Sequence, residues 1–85
     1  MLANDTERQS TTLDLLIPGQ AGRVIDVNAS TSLGRRLLEL GLVPGRRARM
    51  LRAAPFGDPI EIELPNSYLT LRRCEASLVR IALEP

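Results

Sequence analysis

The sequence predicts a mainly β fold, a small and strongly bent barrel of five short strands carrying one inserted α-helix. Three observations lead there. Segments with strand character are separated by Pro, Gly and Asn turn signals roughly every ten residues, the spacing of small all-β domains. One stretch alone has convincing helical periodicity. The chain has 85 residues, 44% of them hydrophobic, enough for one compact domain without staples. An open α+β sheet is the competing architecture.

In order along the chain, residues 1–12 form a polar stretch, MLANDTERQSTT, expected to be a disordered tail preceding a single domain over 13–85. Its apolar residues are Met1, Leu2 and Ala3, too few for a signal-peptide core or a membrane span. Pro18-Gly19 marks a turn, and Gly22–Val27 reads as a strand. Its core face is open by one register step, with Val24 and Asp26 on one side and Ile25 and Val27 on the other.

The helix follows. Leu33, Leu37 and Leu40 fall at i, i+4 and i+7 and make one apolar face, with Leu38 widening it and Arg35, Arg36 and Glu39 turned elsewhere. Ser30, Thr31 and Ser32 all offer N-cap oxygens, so the start is open by a residue or two. Gly34 costs such a helix about 1 kcal/mol relative to alanine, so packing has to hold it. Gly41 suits the left-handed position past the last turn and brings Leu42 back against Leu37, a Schellman closure. Pro44 and Gly45 then suit the two central positions of a type II turn.

Arg46–Leu51 alternates, Ala48 and Met50 against Arg47, Arg49 and Leu51. After the APFGDP turn, Ile60, Ile62 and Leu64 alternate with Glu61 and Glu63. An antiparallel hairpin of these two strands shares its basic and acidic residues on one outer face. Tyr68–Leu71 is a fourth strand, Arg72–Ser77 one helical turn, and Leu78–Leu83 the last strand.

Composition excludes more than it proposes. Histidine is absent and cysteine occurs once, so neither a Ser-His-Asp nor a Cys-His arrangement exists, and no enzymatic role is expected. Ferrous iron favours imidazole with carboxylate, which this chain does not offer. No metal site and no cofactor are expected. A single cysteine forms no internal disulfide and agrees with a reducing, cytoplasmic setting. Eleven basic residues, all arginine, face ten acidic ones, for a net charge of +1. Phe56 and Tyr68 are the two aromatic rings available to stack a base, so nucleic acid is a disfavoured partner.

The stretches RRLLELGLVPG (Arg35–Gly45) and APFGDPIEIE (Ala54–Glu63), with LLIPGQAGRV (Leu15–Val24) ahead and LRR (Leu71–Arg73) behind, together resemble the FeoA family of bacterial ferrous iron uptake. The resemblance runs from about Leu13 to Leu83. It departs at Phe56, where a smaller aliphatic residue is commoner, and at Asn66-Ser67. It implies an SH3-like barrel, and a stand-alone cytoplasmic accessory protein that contacts the cytoplasmic GTPase region of the membrane transporter FeoB.

On that reading the docking face is the helix together with the Phe56 loop. Arg35, Arg36, Phe56 and Asp58 are its candidate partner-binding residues, and Leu33, Leu37, Leu40, Gly41, Pro44, Gly45, Gly57 and Pro59 its structural framework. The alternative is a peptide-binding or strand-binding module that adds a partner strand, or a second copy, along Arg46–Leu51. Asp58, beside Gly57 in a turn, is expected to hydrogen-bond its own backbone.

Overall fold

The computed structural model describes residues 9–85, so residues 1–8 of the expected tail lie outside the described residues. The rest of that tail is not irregular. Ser10–Thr12 form β1, paired antiparallel with the last strand through Ser10↔Ala82, Thr11↔Ile81 and Thr12↔Arg80. There are therefore six strands among the described residues, one more than the turn signals predict. Three polar residues carry no alternation from which a strand can be read.

A 3-10 turn, Leu13–Leu15, follows directly. In such a turn residues three apart share a side, and Leu13 and Leu16 are both buried while Leu15 and Ile17 point out. The remaining elements are β2 (Ala21–Val27), α1 (Ser32–Glu39), β3 (Arg47–Ala53), β4 (Ile60–Leu64), β5 (Ser67–Leu71), the single turn α2 (Arg73–Ala76) and β6 (Val79–Leu83). All pairings are antiparallel, in the order β1-β6-β2-β3-β4-β5. The core is aliphatic: Leu13, Leu37, Leu42, Met50, Ile62 and Ile81 are among its fully buried side chains.

Two irregularities settle what strand alternation left open. The register of β2 against β6 shifts between Val24 and Asp26, so Val24 is buried, Val27 packs against the core, and Asp26 faces solvent. The alternation that grouped Val24 with Asp26 and Ile25 with Val27 is broken by this bulge. A second shift lies between Met50 and Arg52 and turns Arg52 toward Glu61, with which it makes a 2.7 Å ion pair. The expected sharing of charge across the β3–β4 face is present here.

The helix is closed as its sequence indicates. Thr31 is the N-cap, its Oγ1 accepting from the Gly34 N–H at 3.0 Å. At the other end Gly41 has φ +111°, with Gly41 N–H donating to Leu38 O at 3.0 Å and Leu42 N–H to Leu37 O at 3.1 Å, the two bonds of a Schellman motif. Pro44-Gly45 turns with φ +88° at Gly45 and a 3.0 Å bond from Arg46 N–H to Val43 O.

The apolar face is narrower than its spacing suggests. Leu37 is buried and Leu33 half-buried, but Leu40 is 40% exposed, because it caps the helix and the chain turns inward only at Leu42. Buried in its place is Gly34, whose Cα lies against the Asn28–Ala29 backbone.

Candidate docking site at the loop end of the sheet

The β3–β4 connection begins with Ala54, whose N–H donates to Pro59 O at 2.9 Å and whose carbonyl accepts from Gly57 N–H at 2.7 Å. Pro55 and Phe56 are thereby held at the tip, with Gly57 at φ +88° and the Asp58-Pro59 peptide bond cis. Phe56 is 99% exposed. Its ring therefore has no place in the core.

Asp58 does not serve its own turn. Its Oδ1 accepts from the Arg73 N–H at 3.0 Å, satisfying one of the orphan donors at the start of α2. The Arg73 side chain returns the contact. Its Nε donates to Gly57 O and its Nη1 to Asp14 O, so one guanidinium joins the β3–β4 loop to the 3-10 turn. Arg73 is thus a clamp whose side chain is spent on two carbonyls.

Leu15, 66% exposed, follows Asp14, and Phe56 precedes Gly57, so the clamp sets two exposed apolar side chains on neighbouring, anchored loops. Arg73→Ala should cost about 2 kcal/mol, since hydrogen bonds to a charged donor contribute about 1.5 to 3 kcal/mol each and this one is part-exposed. Denaturant unfolding checks it. Arg73→Lys, with no fork to span both carbonyls, should recover at most half of the loss.

The helix follows β2 and the Phe56 loop follows β3. β3 starts with Arg47 level with Arg23 and runs to Ala53 beyond Ala21, so the Phe56 loop lies past the beginning of β2. The helix leaves from the other end of β2, and its closing Gly41 packs near Leu64 at the far end of β4. Arg35 and Arg36 are exposed there, Arg35 donating to Ala29 O at 3.3 Å. Arg35 and Arg36 are thus carried by α1, Phe56 and Asp58 by the β3–β4 loop.

Strand addition along Arg46–Leu51 is overturned outright, because β3 is paired on both sides, to β2 and to β4. The sheet edges are β1 and β5.

Among the described residues no group of three His, Cys, Asp or Glu side chains gathers to hold a metal ion, and no helix is long and apolar enough to cross a membrane. Cys74 is exposed on α2 as a free thiol.

Residues 11–83 match the model of the FeoA domain. A Campylobacter jejuni protein named provisionally as an Fe(2+) transport protein A is 29% identical over 72 residues, covering 85% of this chain and 97% of that one. The solution structure of FeoA from Chlorobium tepidum is 39% identical, with a TM-score of 0.80 over 88% of this chain and 71% of that one. FeoA of Stenotrophomonas maltophilia, crystallised with zinc and described as a procaryotic SH3 domain protein, is 31% identical, with a TM-score of 0.73 over 87% of this chain and 89% of that one. The six-stranded sheet with its inserted helix is thus an SH3-like fold, and this chain belongs to the FeoA family.

Proposed function

We propose that this chain is a non-catalytic accessory protein of ferrous iron uptake that works by contact with the cytoplasmic region of a FeoB-type membrane transporter. The family match over residues 11–83 carries this reading. The names of the relatives tie them to Fe(2+) transport. The surface supports contact rather than chemistry, since histidine is absent from the whole sequence.

Phe56 is the anchor of the contact, with exposed Leu15 on the turn that Arg73 ties to its loop. A large apolar ring held on an ordered loop loses little conformational freedom when a partner covers it, which is how a few side chains come to dominate an interface. Arg35 and Arg36, exposed on α1, make a second, electrostatic contact with acidic groups of the partner.

Tagged protein used to retrieve its partner from detergent-solubilised membranes tests both parts. Phe56→Ala should reduce recovery of a membrane GTPase about tenfold or more while changing stability by less than about 0.5 kcal/mol, as befits a fully exposed ring. Equal recovery by wild type, Phe56→Ala and Arg35→Glu would remove the docking assignment. Absence of any such GTPase would remove the transport reading itself.

A further inference from the structure

A second feature lies on the outer face of β2 and β3, away from Phe56. Arg23 and Arg47 are directly opposed across the two strands, and Arg49, opposite Ala21, is the next outward residue of β3. Like charges facing each other across a ladder are unfavourable unless something compensates. The compensation comes from Glu84, just past β6. Its N–H donates to Ala21 O at 2.9 Å, and its carboxylate takes Arg47 in a two-pronged pair, Nε to Oε2 at 2.5 Å and Nη2 to Oε1 at 3.0 Å.

The two groups are 45% and 35% exposed, so the pair can exchange with an external carboxylate. Arg47 holds the Glu84 carboxyl below its ordinary value of 4.5, with Arg23 and Arg49 adding to the effect. Arg23 spends one N–H on Gly45 O at 2.9 Å. The Arg49 guanidinium has no hydrogen-bond or ion-pair partner among the described residues, although Glu63 stands opposite it in register on β4. Gly19, Gln20, Ala21, Arg47, Arg49 and Glu84 line a shallow cleft of about 500 Å³.

We propose that this cleft recognises a carboxylate side chain on an acidic segment of a partner protein, and that Glu84 fills it in the free chain as an internal stand-in. The carboxylate already bound displays the geometry: a planar two-oxygen group on the fork of Arg47. Arg49, unpaired beside it, supplies the second contact that a segment carrying several acidic residues makes and Glu84 alone does not. Glu63 and Glu84 flank the arginines, which suits a singly charged carboxylate taking the place of Glu84 and opposes a phosphate or a nucleic-acid backbone. The site is independent of the Phe56 loop and of the transporter assignment, and stands or falls without either.

The test is binding of fluorescein-labelled hexaglutamate to the full chain at low ionic strength, read by fluorescence anisotropy with amide chemical shifts recorded in parallel. Glu84→Gln removes the competitor, so affinity should rise about twofold to fivefold, with shifts concentrated at Gly19–Ala21 and Arg47–Arg49. Adding Arg49→Ala should abolish the gain, and raising the salt should weaken binding in every variant. Affinity for Glu84→Gln equal to wild type overturns the proposal. So does tighter binding of a labelled oligonucleotide or of inorganic phosphate, which would make the cleft a phosphate site. If Glu84→Gln fails to fold, Arg49→Ala in the otherwise native chain decides: weaker binding supports the site, and unchanged binding refutes it.

Discussion

Gly34→Ala is expected to destabilise the protein by about 3 kcal/mol or more, the overpacking range at its upper end. In an isolated helix the same change stabilises by about 1 kcal/mol, so the sign itself is diagnostic. A Cβ at this position would lie 1.8 Å from the Asn28 carbonyl oxygen, 2.7 Å from its carbonyl carbon and 3.2 Å from the Ala29 Cα. All three are backbone atoms, which cannot rotate away as a side chain can. Nor is that backbone free to retreat: Asn28 N–H donates to Leu78 O at 3.0 Å, and Asn28 Oδ1 accepts from the Ser30 hydroxyl at 2.6 Å.

Relief requires the first turn of α1 to lift off β2. The Thr31 cap on the Gly34 N–H then goes with it. Thermal unfolding followed by circular dichroism checks this, with Arg36→Ala, at an exposed site on the same helix, as the reference that should move the midpoint little. A Gly34→Ala midpoint at or above wild type would mean that the close approach of helix and strand is not maintained in solution.

Leu37→Ala carries the second large effect, about 2 to 5 kcal/mol. Leu37 is 1% exposed, and its carbonyl accepts the Schellman bond from Leu42, itself completely buried. Truncation leaves a cavity between the helix and the sheet at the point where the chain re-enters the core. For a domain of this size each kcal/mol moves the midpoint by about 4 to 8 °C, so a fall of about 10 °C or more is expected. Leu40→Ala is the contrast. It lies on the same face by spacing, yet it is 40% exposed and should cost less than about 1 kcal/mol. Equal losses at the two positions would show that the apolar stripe really does extend to Leu40.

These two leucines mark the limit of periodicity as a guide. Spacing places Leu33, Leu37 and Leu40 on one side of a helix, but whether all three are covered depends on where the helix ends relative to the sheet. Gly34 makes the complementary point. Its residue type signals a cost to the helix, and only the proximity of Asn28 and Ala29 turns that cost into a requirement.

The candidate site was legible in the same partial way. Phe56, between Pro55 and Gly57 at a turn tip, is left open by the sequence between an exposed ring and one folded back over the barrel, and the structure has it exposed. Its position relative to Arg35 and Arg36 is equally illegible, because it depends on how distant strands pair and bend. The Arg73 clamp left no local trace either. It joins groups 16 and 59 residues apart, and arginine in a basic pair is the ordinary composition of a solvated surface.

By itself the sequence determined the local grammar: the helix stop at Gly41, the turn at Pro44-Gly45, the strand alternation of Ile60–Leu64, an aliphatic core, and the absence of histidine chemistry. Each is decided by the conformational limits of one residue or by the period of a few neighbours, and such terms act wherever the segment is placed. Tertiary structure alone decided the pairing of β1 with β6, the bulges at Ile25 and Leu51, the transfer of Asp58 from its own turn to the start of α2, and the meeting of Glu84 with Arg47. These depend on register between distant strands, where a shift of one residue moves every side chain to the other face, and register is set by the whole sheet closing on its core rather than by any segment within it.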